Sequence, residues 1–242
     1  MSTVRPTHLV AVIFALAIIA AIVPSVDATP LNPNSCVGAV TATCPGTLDV
    51  FNADPVSFLI SNPQMVTPLS GTYSGTLLSA VYQNTSRGNQ LDFYYQFTNN
   101  ATCPNPAGCD AVTRLTAFNF TGVTTDVGYR TDFNVNGFIS GNKPPLLADR
   151  DSGSTVGFNF FNDNHPMTGT RILPGDVSNV LVIRTNATAY TTGFASVIDG
   201  GATTVFSFQP VPLQEVPEPA TLLLLGAGIV VGGIGLSKKT TR

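Results

Sequence analysis

Apolar and polar side chains alternate along the middle of the chain with a period of two, the signature of strands that bury one face. In Leu91–Phe97, Leu91, Phe93, Tyr95 and Phe97 share one face, while Asp92, Tyr94 and Gln96 occupy the other. Thr155–Phe161 sets Val156, Phe158 and Phe160 against Gly157 and Asn159, and Val112–Phe120 puts Phe118 and Phe120 on one side with Arg114 and Thr116. Val180–Thr185 is a β-branched run, and Thr203–Phe208, Thr72–Gln83 and Tyr190–Ile198 are further strands. Clusters of Asn, Gly, Pro and Asp at 84–89, 99–108, 134–137, 140–145, 162–166, 174–176 and 199–201 supply the turns between them. Many short strands punctuated in this way predict an all-β fold, an antiparallel β-sandwich. Residues 31–54, rich in Pro, Asn and Cys, read as a stapled loop ahead of the first strands.

Two stretches break the alternation because they are apolar throughout. Leu9–Val23 follows Arg5 and His8 and precedes Val26-Asp27-Ala28, the layout of a secretory signal peptide cut between Ala28 and Thr29. A retained amino-terminal anchor is the alternative; the short span and the small residues at the cut favour removal. Ala220–Leu236 is seventeen uncharged residues followed by Lys238, Lys239 and Arg242. As a helix it would span about 26 Å, at the short end of what crosses a bilayer. A helix is the state in which an isolated segment satisfies its backbone in lipid. Gly226, Gly228, Gly232, Gly233 and Gly235 make that helix weak. The basic residues hold the carboxyl terminus in the cytoplasm and so place the body on the outer side. Pro217 and Pro219 keep Val216–Pro219 extended and outside the helix, a form that a processing enzyme binds with little loss of chain entropy.

Val216-Pro217-Glu218-Pro219-Ala220-Thr221-Leu222, with the glycine-rich span and basic end that follow, closely resembles the PEP-CTERM sorting domain. The resemblance implies a surface protein of Gram-negative type, recognised at Pro217, Glu218 and Pro219 by exosortase, a membrane-embedded cysteine transpeptidase-like enzyme. Such proteins are associated with exopolysaccharide, biofilm and floc formation, and the chain is then a substrate whose catalytic residues belong to its partner. The run from Ile172-Leu173-Pro174-Gly175-Asp176 through Leu181–Thr188 to Ile198-Asp199-Gly200-Gly201 is similar to a recurring body type of these proteins, one without an assigned function.

Cysteine and charge agree with export. Cys36, Cys44, Cys103 and Cys109 are even in number, which in an exported chain suggests disulfides with three connectivities open. Local pairing, Cys36 with Cys44 and Cys103 with Cys109, closes two small loops. Spacings of eight and six do not match the Cys-x-x-Cys pairs of zinc sites. Charged residues are 10% of the chain, and residues 29–215 carry seven basic against twelve acidic groups, a balance that argues against nucleic acid.

Five constellations bear on chemistry. A Ser-His-Asp set would need His165, which lies in a turn-like Asn162–Pro166 stretch with no Gly-x-Ser-x-Gly elbow in the chain. A hydrolase would have to use aspartates, with Asp149 and Asp151 at i, i+2 as the pair; Arg150 and the flanking Ser and Gly point instead to a solvated loop. Asp149-Arg150-Asp151-Ser152-Gly153 also faintly resembles the start of a calcium loop, without the distal Glu. Of the six tyrosines, Tyr94 is the best candidate for stacking on sugar rings, since it points away from the Leu91/Phe93/Tyr95/Phe97 face. Asn84, Asn100, Asn119 and Asn186 begin Asn-x-Ser/Thr triplets, expected by chance in a chain rich in Asn and Thr.

The organisation expected is a signal peptide at 1–28, a β-sandwich ectodomain at 29–209, a linker at 210–216 and a sorting tail at 217–242 with its transmembrane helix at 220–236. The expected function is that of a non-enzymatic exported protein, with no cofactor, metal or catalytic residue. Its partners are the secretion machinery, exosortase, the inner membrane transiently and exopolysaccharide. An extracellular carbohydrate-binding module and an aspartate-based secreted hydrolase are the alternatives.

Overall fold

The alternating runs pair with one another through tight turns. A computed structural model describes residues 30–38, 44, 46–52, 54–105, 107–161 and 171–212. Its strands are β1 (Ser35–Gly38), β2 (Asp49–Val50), β3 (Val56–Val66), β4 (Gly75–Asn84), β5 (Gln90–Asn99), β6 (Arg114–Ala117), β7 (Thr125–Arg130), β8 (Leu147–Arg150), β9 (Val156–Asn159), β10 (Val180–Thr185), β11 (Tyr190–Asp199) and β12 (Gly201–Pro210). They form two six-stranded sheets, ordered β1-β8-β9-β6-β11-β12 (sheet I) and β2-β7-β10-β5-β4-β3 (sheet II). Every paired neighbour runs antiparallel except β2, which lies parallel to β7. The fold is all-β; among the described residues the helical element is one 3-10 turn, Thr85–Arg87, whose Ser86 amide is capped by the Asn84 side chain.

The main core lies between the sheets. Leu91, Phe93, Tyr95 and Phe97 of β5 meet Leu115, Val156, Phe158, Ala195 and Val197 of sheet I. Tyr95 and Tyr73 reach across it, their hydroxyls donating to the carbonyls of Phe208 (3.1 Å) and Val197 (2.7 Å). Sheet II also buries its other face, where Phe133 and Phe138 cover Leu78, Ala80, Tyr82, Tyr94, Val180 and Val182. That second layer explains why β10 reads as an unbroken apolar run: both of its faces are dry.

Several elements differ from the sequence reading. Residues 31–54 contribute two sheet strands and a core residue, Leu31, rather than only a loop. β6 stops at Ala117 because Asn119 takes φ 67°, which breaks the alternation. Phe120 therefore enters the core against Phe93, ring centroids 5.4 Å apart, while Phe118 stays on the outer face. β3 escapes the pattern because a register shift between Phe58 and Ile60 changes its parity, and because it contains Pro63. β7 is interrupted by Gly128, over which the Phe51 ring lies so closely that a Cβ would collide with it.

Both described termini leave at one end of the sandwich. The Leu31 amide donates to Thr125 O (2.8 Å) and the Val211 amide to Ala189 O (2.9 Å). Pro212 lies against Gly122, where an added Cβ would be 3.1 Å from the proline ring. At the opposite end are the 67–74 and 100–113 loops and the β11–β12 turn at Gly200 (φ 63°).

Candidate binding surface

The outer face of sheet I carries side chains in rows that the strand register fixes. Phe194 faces Phe206 across the β11–β12 pair, and Phe118 follows on the other side, its amide donating to Phe194 O at 3.1 Å. Phe194 and Phe206 are 45% and 55% exposed, with ring centroids 5.3 Å apart and planes tilted by 30°. The next row holds Thr116, Ser196 and Thr204; the Ser196 and Thr204 hydroxyls share a hydrogen bond of 2.5 Å. Thr116 is 6% exposed and its Oγ1 has no hydrogen-bond partner. Below this row Arg114 lies over Gly157, where a Cβ would strike the guanidinium, and its two terminal nitrogens donate to the Asp149 carboxylate. The same carboxylate accepts from Asn159 Nδ2 at 2.6 Å. Asn119 donates to Gln209 Oε1 beyond the aromatic row. Aromatic faces beside hydroxyl and amide groups, with the neighbouring charge neutralised, suit a neutral, hydroxyl-rich ligand rather than an ion.

The residues singled out for chemistry take other roles. Tyr94 does point away from the main core, but it is fully buried beneath Phe133 and Phe138 (ring centroids 5.0 and 6.2 Å) and cannot stack on a sugar. Its hydroxyl accepts from Arg130 Nη1 at 3.3 Å, and burial raises its pKa. Tyr73, Tyr82 and Tyr95 are buried as well. Asp149 is engaged by Arg114, and Asp151 accepts the amides of Gly153 (3.0 Å), Ser154 (2.8 Å) and Thr155 (2.8 Å). Those backbone bonds hold the Asp151 carboxyl far below the usual carboxylate range. Both carboxylates are taken up by contacts within the fold.

Arg150 corrects the expectation of a solvated loop. It is buried, and its guanidinium donates to the carbonyls of Leu31, Phe120, Val123 and Gly153 and to Thr125 Oγ1. Among the described residues Asp92 is an acid shifted upward, pushed up to about 6 by burial and only partly relieved by Asn84 and Arg87. Being fully buried, it is closed to a substrate. The cysteines pair locally, Cys36 with Cys44 and Cys103 with Cys109. His165, Ala28, Thr29, Pro217, Glu218, Pro219, Lys238, Lys239, Arg242 and the 220–236 span lie outside the described residues.

Beyond Pro212, the family model for the PEP-CTERM protein-sorting motif matches residues 215–239. The chain carries a PEP-CTERM sorting motif. That motif implies exosortase-dependent sorting of an exported, surface-directed protein, with exosortase as the processing partner. No curated protein and no solved structure matches the chain. The PEP-CTERM match covers 25 of 242 residues and leaves the sandwich, with its aromatic row, outside it. The row was within reach of the sequence. Positions 194 and 206 are equidistant from Gly200, so a hairpin centred there pairs two phenylalanines, with Ser196 and Thr204 as the next pair toward the turn.

Proposed function

We propose that the chain is a non-enzymatic surface protein, exported with loss of residues 1–28, processed by exosortase at Pro217, Glu218 and Pro219, and delivered to the cell exterior in association with exopolysaccharide. The observation that carries this reading is the sorting motif at 215–239. Support also comes from Asp149 and Asp151, whose carboxylates are committed to an ion pair and to a turn. The transient membrane step follows from the uncharged Ala220–Leu236 run and its basic end. Intact-mass measurement on surface material tests the proposal. The expected species begins at Thr29, lacks Lys238–Arg242 and shows the mass deficit of two cystines. Surface material that retains Lys238–Arg242 would identify a plain membrane anchor instead.

The Phe118–Phe194–Phe206 row favours a second reading, in which the body binds a neutral polysaccharide through sheet I. Stacking on the exposed Phe194 and Phe206 rings and hydrogen bonds to the exposed Thr204 hydroxyl would share the recognition. Affinity electrophoresis of the full chain in gels containing the host's exopolysaccharide is the test. Retardation that is lost in Phe194→Ala and Phe206→Ala supports this reading, and retardation unchanged in both variants removes it.

A further inference from the structure

The end of the sandwich from which both termini leave is a built surface. Arg150 ties Leu31, Phe120, Val123, Thr125 and Gly153 together from beneath. Asp151 closes the adjacent turn through three backbone amides. Asn186 Oδ1 accepts the Thr124 amide at 3.0 Å, fastening the next loop to the end of β10. Between these anchors lies a recess of about 680 Å³ whose rim includes Asn32, Thr121, Thr124 and Ser152. All four are exposed and uncharged. Loops fastened this way, by the buried Arg150 guanidinium and by the more exposed Asp151 and Asn186 side chains, form a restrained platform that must break hydrogen bonds to move.

The chain leaves this platform with little slack. Val211 is held by Ala189 O, and Pro212 rests on Gly122. Only Leu213, Gln214, Glu215 and Val216 separate Pro212 from Pro217. Five Cα–Cα steps reach at most about 18 Å even when fully extended. An enzyme that grips Pro217, Glu218 and Pro219 therefore works within that distance of the platform. A globular domain of 100 residues already has a radius of gyration of about 13 Å, so an enzyme so close would meet the platform with its own surface. The amino-terminal exit at Pro30, which pairs with Asp126, turns the same end toward the membrane if the leader still holds the chain there.

We propose that the platform rimmed by Asn32, Thr121, Thr124 and Ser152 is a docking surface for the enzyme that processes the tail, so that the folded body is part of the sorting signal. This inference rests on the exosortase reading and deepens it. The recess is lined mostly by apolar and uncharged groups, Pro30, Pro33 and Val123 among them, and its two charged residues, Asp126 and Arg150, are opposite in sign, so its partner docks by fit rather than by charge steering. Contact at a restrained platform raises the effective concentration of the box at the enzyme, an advantage that a longer tether dilutes.

The test is tail removal in cells containing the exosortase, followed by pulse labelling of the full chain. Thr121→Arg with Ser152→Arg should slow removal about tenfold, the effect of losing roughly 1.4 kcal/mol of docking. Leu69→Arg, fully exposed at the opposite end, should leave the rate unchanged. Ten Gly/Ser residues inserted between Pro212 and Leu213 should also slow it. Protease resistance and cystine content of each variant verify the fold. Wild-type rates in the double variant, or an insertion that is neutral or faster, would overturn the docking surface. Glu218→Gln separates the two levels: normal processing of that variant sinks the exosortase reading itself, whereas blocked processing with insensitive platform variants sinks only the docking.

Discussion

The side-chain amide of Asn84 donates to Oδ2 of Asp92 at 2.9 Å, both residues fully buried at the β4–β5 end of sheet II. Arg87 reaches the other carboxylate oxygen at 3.2 Å and bridges to Asp126 at 3.6 Å. Burial nevertheless outweighs these contacts and holds the Asp92 carboxyl at about 6, above its ordinary 3.8. The folded state thus keeps a proton that the unfolded chain releases between these two values. Its contribution to stability is complete below about pH 4 and is lost as pH rises through about 6. Roughly 2 to 3 kcal/mol is at stake. Asp199, also raised by burial, adds to the slope in the same direction. Urea unfolding followed by tyrosine fluorescence should show the wild type more stable at pH 5 than at pH 7. Asp92→Asn should flatten that difference, and an undiminished slope in this variant would place its origin elsewhere. Asp151 acts in the opposite sense and further down the scale, because its lowered carboxyl loses its stabilising bonds only in strong acid.

Arg150→Ala should be among the most damaging single substitutions. It takes the guanidinium donor from the buried carbonyls of Phe120 and Val123 and one of two donors from Leu31, at a cost of about 3 kcal/mol or more. Arg150→Lys should recover only part, since an ammonium carries three donors and no planar fork. The urea midpoint reports the loss. Proteolysis should reach the segment around Leu31 first, and a midpoint unchanged in the Ala variant would contradict the role given to Arg150.

Tyr94 and Phe206 make a contrasting pair. Tyr94→Ala empties a packed site between Phe133, Phe138 and Tyr82 and should cost about 3 to 5 kcal/mol. Phe206→Ala, at a position 55% exposed, should cost well under 1 kcal/mol. Thermal unfolding of the two variants decides this directly. Equal losses would mean that the sheet I face is covered in the native state.

Removing one cystine, as in Cys103→Ser with Cys109→Ser, opens a loop with a sequence separation of six. The lost restraint on the unfolded chain is worth about 2 kcal/mol. The urea midpoint should fall accordingly while sheet I and sheet II stay intact by circular dichroism; an unchanged midpoint would make the bond dispensable.

The alternation made the two-sided strands legible and identified which residues of β5 and β9 face inward. It could not show what lay over the outward set. Tyr94 was placed on the correct face, yet the cover comes from Phe133 and Phe138, forty residues away and without strand pattern. Phe118 was assigned to the same side as Phe120 because a single left-handed residue, Asn119, leaves no trace in periodicity. Arg150 read as solvent-facing because its partners are backbone carbonyls, which no sequence pattern marks. The sorting tail was legible for the opposite reason: its chemistry is local, written in consecutive residues that an enzyme reads in extended form.

The margins of the two sheets bear on how copies of the molecule coexist once secreted. β3 and β12, the outermost strands on one side, lie alongside each other, and Asn62 Nδ2 reaches Phe206 O at 3.4 Å. On the other side the outermost strands, β1 and β2, are four and two residues long. Short strands on one side and the contact of β3 with β12 on the other both work against a neighbour extending the described sheets. Molecules crowded together outside the cell would then remain separate particles, joined through whatever their faces hold and not by fusion of their backbones.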